Sequence, residues 1–363
     1  MMYPYDFSVM MITYNHEKFL AQAIESVLTQ QFDFTKLEIV IGVDKSSDAT
    51  LKVAEDYREK YPSLIKLIAH EDNVGMYQNF MGTLKACRGK YIALLEGDDY
   101  WSDTKKLQTQ YSFFEKNPNC VLSGGLSSQL NGNEEEFRRP LFSGFFKGKP
   151  FTKNDLVYSN RLTTLTTAFR ADALNWDELN KLQNSPHLDW GVYLSLQYGE
   201  KGFAYRFNRK FGVYRMHAGG VYSLVDTEKR NINFLKTIRA LSSLQLKPSQ
   251  QLYLKSLFAN FALQVTSKEF FSSKAFVDYY DSSLVIYTQK NQFTPPYRKD
   301  LYKKIFTMKK KQRAEFIRSN FELIRQTKTS NLVYANMFLF PFLMMVFFLK
   351  VQLSLIKYGG VKN

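Results

Sequence analysis

The chain has little cysteine, and the cysteine it has cannot build a covalent framework. Two cysteines, Cys87 and Cys120, occur in 363 residues, with neither the number needed for a disulfide scaffold nor the spacing of a metal site. Isolated cysteines of this kind fit a reducing cytosol. The first 11 residues contain no basic stretch followed by an apolar segment and a cleavage site, so we expect no secretory signal.

Recognition motifs for nucleic acid are also missing, although the net charge is +15. We find no zinc knuckle, no aromatic RNA-binding strand motif and no clear helix-turn-helix, and we therefore expect no nucleic-acid partner. The charge is unevenly spread: residues 1–200 carry 21 Lys and Arg against 26 Asp and Glu, whereas residues 201–363 carry 28 against 8. A basic second half favours an anionic membrane surface or an anionic substrate.

Long apolar runs are scarce, and one near the end of the chain stands out. Residues 332–349 are 18 positions without a charge, which is the lower edge for a spanning helix. Basic residues flank both ends, and a span would have to place one basic flank outside. We favour a segment lying in the membrane interface. A true span, and a helix buried in the protein or in a homodimer interface, stay open.

What the first hundred residues do contain is a repeated alternation of strand and helix patterns. Apolar runs at residues 8–12, 37–43, 64–69 and 91–95 predict strands, and helical spacing follows in residues 18–30, around 51–57 and in 77–86. This order is typical of an α/β fold with a mostly parallel sheet flanked by helices. Residues 126–150 are interpreted as a loop or a solvated hairpin. From residue 226 the pattern is helical and basic. We divide the chain into residues 1–225, 226–330 and 331–363.

Three carboxylates follow the fourth predicted strand within four positions: Glu96, Asp98 and Asp99. Carboxylates this close repel one another unless a cation lies between them or they face open water. Loops after strands are also where open α/β sheets bind ligands. The spacing therefore favours a hard, oxygen-liganded ion, Mg²⁺ or Mn²⁺, shared with phosphates. A solvated acidic loop is the alternative.

Several ordered blocks then resemble the family-2 glycosyltransferases of GT-A fold, over about residues 6–223. The blocks are SVMMITYN (8–15), EIVIGVDKSSDAT (38–50), NVG (73–75) with Asn79, GKYIALLEGDDYW (89–101), LDW (188–190), and YRMH (214–217) with Gly219 and Gly220. The resemblance implies a GT-A, Rossmann-like domain followed by a helical basic C-terminal region. It also implies a nucleotide-diphosphate sugar as donor partner.

The resemblance also implies roles for individual residues. The donor-binding set is Thr13, Tyr14, Asn15, Glu17, Asp44, Asn79, Glu96, Asp98 and Arg215, and the metal set is Asp98, Asp99 and His217. Tyr14 offers a stacking face for the base or is a half-buried core aromatic. Asp44 accepts the imide N–H of uracil or thymine, an acceptor-only role that disfavours cytosine, or is a turn or capping aspartate. A lone histidine such as His217 can equally be structural.

Asp189 resembles the family's catalytic base. A base must reach the acceptor hydroxyl and be ionised near neutral pH. The implied reaction is direct displacement at the anomeric carbon with inversion. The alternative is an ordinary aspartate in the first turn of a helix, where it favours the helix dipole.

The sequence departs from the family pattern at a few positions. Ile12 replaces a usual Pro, Val43 the first Asp of a common pair, and Lys45 a small residue, and Glu96 stands where Asp is more usual. The Gln-x-x-Arg-Trp motif of processive synthases is absent, which implies a non-processive enzyme.

The resulting expectation is an inverting, metal-dependent, non-processive glycosyltransferase that uses UDP- or dTDP-sugars. The acceptor would be a glycan or lipid-linked hydroxyl in cell-surface polysaccharide synthesis, and the protein would be cytoplasmic and peripheral on the inner face of the cytoplasmic membrane. Two alternatives remain: a sugar nucleotidyltransferase, disfavoured because no Gly-rich phosphate loop follows the first strand, and a non-catalytic sugar-nucleotide or glycan-binding module.

Overall fold

The structure is a computed structural model, and it describes most of the chain up to residue 258. The described residues are 3–136, 148, 150–158, 160, 162–183, 185–217, 219–220, 227–248, 250–251, 253–254 and 258. The predictions made for residues 259–330 and 331–363, including the uncharged run 332–349, lie outside the described residues.

Within the described residues, strands and helices alternate as the sequence predicts. The strands are β1 (Tyr5–Thr13), β2 (Leu37–Val43), β3 (Ile65–Ala69), β4 (Gly89–Glu96), β5 (Tyr100–Trp101), β6 (Cys120–Asn131), β7 (Glu134–Glu136), β8 (Pro150–Phe151), β9 (Ala168–Arg170) and β10 (Phe203–Met216). The α-helices are α1 (Leu20–Leu28), α2 (Thr50–Lys60), α3 (Gly75–Ala86), α4 (Lys106–Lys116), α5 (Lys153–Tyr158), α6 (Trp176–Asn180), α7 (Leu188–Ser195) and α8 (Thr227–Leu241).

All but two of these strands follow the sheet order β3-β2-β1-β4-β9-β6-β10-β5, and the other two, β7 and β8, pair with β6 and β10 respectively. The pairs β3–β2, β2–β1 and β1–β4 are parallel, as is β6–β10. Strand β9 is antiparallel to both its neighbours, and so it joins two parallel groups into one mixed sheet. The predicted α/β class is confirmed, and the parallel arrangement is complete only in the first half of the sheet.

Strand β1 lies in the middle of the sheet and contributes to the core on both faces. Val9 and Met11 pack with one cluster of buried residues, and Met10 between them packs with a second cluster on the other face. This follows from the two-residue period of a strand, because successive side chains point to opposite faces. Strand β2 is buried along its whole length, and its side chains are apolar apart from Glu38, as expected of a strand covered on both faces.

Helix α3 packs almost directly on β2, and a glycine makes this possible. A Cβ atom added at Gly42 would lie 1.9 Å from Thr83 Oγ1 and 2.5 Å from Asn79 Oδ1. The Asn79 side-chain amide donates to the Gly42 carbonyl oxygen at 3.0 Å. The close approach brings the start of α3, and the loop before it, up to the carboxyl end of β2.

The segment predicted as a loop or hairpin is a hairpin in its described part. Strands β6 and β7 pair antiparallel, with Asn131 opposite Glu134, and Gly132 turns the chain at a φ of 60°. A positive φ costs glycine little, which suits it to this turn. Residues 137–147 lie outside the described residues.

Helix α8 continues the core beyond the boundary that we predicted at residue 225. Leu235, Ile238 and Leu241 are buried in the same apolar cluster as Trp190. The helical pattern expected after residue 226 is therefore present over α8, and the boundary itself stays a prediction. Among the described residues, no helix combines the length and the apolar character needed to cross a bilayer.

Candidate active site

The acidic residues sit at the carboxyl end of β4, in a turn that lies against the end of β1. The Gly97 N–H donates to the Ile12 carbonyl oxygen at 2.9 Å, and the Asp99 N–H to that of Glu96 at 3.1 Å. A Cβ at Gly97 would lie 2.6 Å from Thr13 Oγ1 and 3.3 Å from His16 Nδ1. Glycine at this position therefore lets the acidic turn and the loop after β1 approach each other.

Asp99 is fully buried and only half satisfied. Its Oδ1 accepts the Arg215 N–H at 2.8 Å, while its Oδ2 has no hydrogen-bond partner in the described part of the chain. Burial raises the pKa of Asp99 well above its ordinary value, and the charges of Asp98 and Glu96 raise it further. A buried carboxylate oxygen without a partner, beside two more carboxylates, fits a hard divalent cation, whose preferred ligands are oxygens.

Asp98 connects this acidic turn to two histidines. His217 Nε2 lies 3.0 Å and His16 Nε2 3.7 Å from the same Asp98 Oδ2. Burial acts to raise the pKa of Asp98, but the hydrogen bond from His217 and the charge of His16 hold it below its ordinary value. Two overlapping groups can thus hold a cation, since ligand atoms lie within 4.8 Å of one another both in Glu96–Asp98–Asp99 and in His16–Asp98–His217.

Glu96, the last residue of β4, interacts electrostatically with both Asp98 and Asp189. Burial raises its pKa to about 8, helped by the charges of Asp98 and then of Asp189. Asp189 is in the first turn of α7, and its Oδ2 accepts the Asn160 side-chain amide at 2.9 Å. Asp189 therefore interacts electrostatically with Glu96, a predicted donor residue that is 93 positions away along the chain.

Arg215 is held on several sides. Its Nη1 donates to the Asp98 carbonyl oxygen at 2.5 Å, and its Nη2 donates to the side-chain oxygen of Gln22 on α1. The guanidinium lies between two aromatic rings, 5.0 Å from the centroid of Phe19 and 4.7 Å from that of Tyr100. Both distances are within the range of cation–π attraction. The cation is therefore fixed at the rim of the acidic turn.

The predicted base-binding residues lie on the neighbouring strand ends of β1 and β2. Asp44 is buried and accepts three backbone N–H groups, from Lys45 at 3.0 Å and from Val74 and Gly75 at 2.9 Å each. Thr13 Oγ1 is buried without a hydrogen-bond partner among the described residues. Tyr14 is 46% exposed, so its ring face is accessible rather than part of the core.

The remaining predicted donor residues contact the protein itself. The Asn15 N–H donates to Ser46 Oγ at 3.0 Å and its Oδ1 accepts the Ser47 N–H at 2.9 Å, while Glu17 Oε2 accepts the Ala49 N–H at 3.0 Å. These contacts tie the loop after β1 to the loop after β2. Asn79 is buried beneath the sheet, apart from the acidic turn.

Sequence reasoning missed four residues that the structure brings to the site: His16, Phe19, Gln22 and Asn160. His16, Phe19 and Gln22 follow one of the recognised blocks, but their partners Asp98, Arg215 and His217 are some 80 to 200 positions away. Asn160 lies outside every recognised block. Only the folded arrangement shows these contacts.

Comparison with known proteins identifies the family and the fold of the domain that carries these residues. The model of the family "Glycosyl transferase family 2" matches residues 8–171, which include β1 to β9 and the acidic turn. The chain carries a family-2 glycosyltransferase domain. The enzyme class expected from the sequence is thereby confirmed for this domain.

Two relatives illustrate how far the likeness of the glycosyltransferase domain extends. An uncharacterized protein of Mycobacterium tuberculosis is 29% identical over 226 residues, 61% of this chain and 62% of its own length. The chain thus spans somewhat under two thirds of that relative. The Bacillus subtilis protein EpsE, which is named as a glycosyltransferase, is 37% identical over 117 residues, 32% of this chain and 41% of its own.

A solved structure gives the same fold. Residues 1–349 of TarS from Staphylococcus aureus, crystallised with UDP-GlcNAc, match with a TM-score of 0.55 at 20% identity, over 75% of this chain and 79% of that one. At this identity the likeness carries the fold alone, and it confirms the GT-A fold predicted for the glycosyltransferase domain.

Proposed function

We propose that this protein is an inverting, non-processive glycosyltransferase that moves one sugar from a nucleoside-diphosphate donor to a hydroxyl group of a glycan or lipid-linked acceptor. The single observation that carries the proposal is the position of Asp189. After burial and the charge of Asp98, the charge of its carboxylate also raises the pKa of Glu96, the last residue of β4. Direct displacement of the diphosphate at the anomeric carbon needs a base near a site that binds the diphosphate and a metal ion.

The reaction follows from this arrangement. The acceptor hydroxyl oxygen attacks the anomeric carbon from the side opposite the diphosphate. The new carbon–oxygen bond forms as the bond to the diphosphate breaks, and the electron pair of that bond leaves with the diphosphate. The hydroxyl proton passes to Asp189. Asn160 binds Oδ2 of Asp189 and leaves Oδ1 without a hydrogen bond among the described residues, so that oxygen is available to the proton.

Positively charged groups would stabilise the leaving diphosphate. Arg215, fixed between Phe19 and Tyr100, is the guanidinium assigned to it. Asp98, Asp99 and His217 would hold Mn²⁺ or Mg²⁺, which supplies charge neutralisation to the departing diphosphate. Glu96 lines the donor side of the same turn.

A uracil or thymine base is the favoured donor base. Asp44 presents only acceptor oxygens, which suit an imide N–H. Oδ1 already accepts two backbone N–H groups and Oδ2 one, so Oδ2 is the oxygen proposed to accept the imide N–H. The accessible ring of Tyr14 offers a stacking face. The TarS structure was obtained with UDP-GlcNAc, which supports a uridine donor for this related fold. Asn15 and Glu17 keep the two loops of the base site together through their backbone contacts.

The acceptor and the location are inferred from the charge pattern. The basic second half would bring the protein to the inner face of the cytoplasmic membrane, because each Lys or Arg near anionic lipid contributes about 1 kcal/mol. Polysaccharide synthesis at the cell surface belongs to the same proposal, with the apolar segment 332–349 lying in the membrane interface. A role of this segment in a homodimer interface is the alternative. Removing residues 331–363 should release the protein from membranes, and a truncated form that still pellets with them contradicts this role.

Ligand-dependent melting and donor hydrolysis test the activity. UDP should raise the melting temperature in the presence of Mn²⁺, since a ligand that binds only the folded state stabilises it by mass action, and Asp99→Ala should abolish the shift. Asp189→Asn should keep the shift and lose transfer. Asp177→Asn is the matched control, because Asp177 is also a first-turn aspartate but is exposed on α6. Equal transfer by wild type and Asp189→Asn would exclude Asp189 as the base.

A further inference from the structure

The loop after β1 places His16 at the acidic turn, where no role has been assigned to it. His16 Nε2 lies 3.7 Å from Asp98 Oδ2, too far for a hydrogen bond, while His217 Nε2 approaches the same oxygen at 3.0 Å. One imidazole already satisfies that oxygen. Hydrogen bonding to Asp98 therefore does not explain why the His16 imidazole also lies close to this oxygen.

The spacing of the three groups is that of ligands around one ion. The two imidazole nitrogens and the Asp98 oxygen lie within 4.8 Å of one another. Bonds of about 2.0–2.3 Å to a transition metal place ligand atoms on opposite sides of the ion at roughly 4–4.6 Å. The two imidazole rings stand at 84° to each other with centroids 5.8 Å apart, so neither ring blocks the other.

The surroundings hold His16 in this position. Its backbone N–H donates to Thr50 Oγ1 at 2.7 Å, and its ring packs on Phe19 at 6.4 Å between centroids. Phe19 also packs on His217 at 4.8 Å. The ring lies against Gly97, where any Cβ would come within 3.3 Å of Nδ1. The site is therefore shaped around His16 as well as around the carboxylates.

We infer that His16 is a metal ligand, and that with Asp98 and His217 it makes this site select Mn²⁺ or another transition-metal ion over Mg²⁺. Carboxylate, carbonyl and water oxygens suit both Mg²⁺ and Mn²⁺, whereas imidazole nitrogen is a ligand of transition-metal ions. Replacing oxygen ligands by two imidazoles therefore disfavours Mg²⁺ and is tolerated better by Mn²⁺, which is a transition-metal ion. A site made of Glu96, Asp98 and Asp99 alone would show no such preference. The inference rests on the proposed function and names the ion that this function uses.

Metal binding, measured without any turnover, tests the inference. Mn²⁺ and Mg²⁺ affinities are measured by titration calorimetry with UDP present, on wild type, His16→Ala, His217→Ala and the control His70→Ala. His70 follows β3 and belongs to neither ligand group. We expect His16→Ala to lower the Mn²⁺ affinity about tenfold or more and to change the Mg²⁺ affinity little. Removing a residue that only supports a metal ligand already lowers metal affinity by about this factor, so a direct ligand should cost at least as much. His70→Ala should match wild type.

A spectroscopic readout separates ligation from a structural role. The electron spin echo of bound Mn²⁺ is modulated by directly bound ¹⁴N, and we expect two imidazoles in wild type and one in either His16→Ala or His217→Ala. A purely structural His16 would lower the melting temperature yet keep the Mn²⁺/Mg²⁺ ratio and the two-nitrogen signal, which overturns the inference. Wild type that binds UDP but no divalent ion also overturns it. Wild type that binds neither UDP nor Mn²⁺ contradicts the proposed function itself.

Discussion

The backbone N–H of Arg215 donates to Asp99 Oδ1 at 2.8 Å, although the two residues are 116 positions apart. The contact joins the end of β10 to the turn after β4. It leaves the second oxygen of Asp99 directed to the site and places the Arg215 guanidinium over the Asp98 carbonyl group. The cation proposed for the diphosphate and the carboxylates proposed for the metal are thus positioned by one hydrogen-bonded pair of segments.

Removing a contact that holds the Arg215 side chain should weaken binding of the diphosphate but not of the nucleoside. Phe19→Leu removes one ring of the cation–π pair, and Gln22→Ala removes a hydrogen-bond acceptor. A cation–π contact is worth about 0.5–1 kcal/mol, so we expect UDP affinity to fall roughly 2- to 5-fold for Phe19→Leu. Calorimetric titration with UDP and with uridine checks this. Gln108→Ala, on an exposed face of α4, serves as control. Equal losses of affinity for UDP and uridine would contradict the role of Arg215 in binding the diphosphate.

Asn160→Ala should lower kcat and leave donor binding unchanged. Asn160 touches Asp189 and not the donor residues, and a hydrogen bond to a charged group is worth about 1.5–3 kcal/mol, or roughly 10- to 150-fold in rate. Steady-state transfer kinetics with a UDP-sugar measure kcat and KM separately. Asn180→Ala, exposed at the end of α6, is the matched control. A rise in donor KM with constant kcat would place Asn160 in donor binding instead.

Gly97→Ala should disrupt the site more than the fold. The added methyl group would lie 2.6 Å from Thr13 Oγ1 and 2.7 Å from Thr13 Cβ, so the acidic turn must move away from β1. Overpacking of this kind costs about 1–3 kcal/mol, and we expect metal-dependent UDP binding to be lost. Gly82→Ala, within α3, is the control, because the added methyl group has no neighbour nearer than 4.0 Å. This substitution should stabilise the folded protein by about 0.4–1 kcal/mol. Melting curves with and without UDP and Mn²⁺ compare the two variants.

Lys106→Met should stabilise the protein at neutral pH. Lys106 is fully buried, and burial lowers its pKa well below the ordinary value, with Asp103 acting weakly against this. Its amino group donates to Gln110 Oε1 at 2.8 Å and lies 4.0 Å from the Trp101 ring centroid, which holds the side chain in place.

The pH dependence of this effect has a definite sign. Above the lowered pKa of Lys106, the unfolded chain binds one more proton than the folded chain, so stability rises with pH up to the ordinary lysine value of about 10.4. The stabilisation by Lys106→Met should therefore be larger at pH 7 than at pH 10. Urea unfolding at both pH values measures it, with exposed Lys105→Met as control. A stabilisation that is equal at both pH values would mean that Lys106 does not titrate in this range.

Much of the sheet was predictable because its determinants are local. Strand β2 is found at residues 37–43 as predicted, since its apolar run is bounded by polar residues on both sides. Helix α1 is shorter than its predicted range 18–30 by two residues at each end, and its last residue, Leu28, is also the last apolar residue of that range. The insertion of β9 between β4 and β6, which makes the sheet mixed, has no such local pattern in its three residues.

The sequence by itself determined the strand and helix order, the acidic turn after β4 and the family of the domain, because each of these depends on residues that are near neighbours in the chain. The tertiary structure decided which side chains from distant segments meet at the site. His16 and His217 converge on Asp98, Gln22 holds Arg215, and Asn160 binds Asp189 only after the sheet has brought the ends of its strands together. The reason is physical: contacts between distant segments depend on the register of the strands and on packing, which no local pattern encodes.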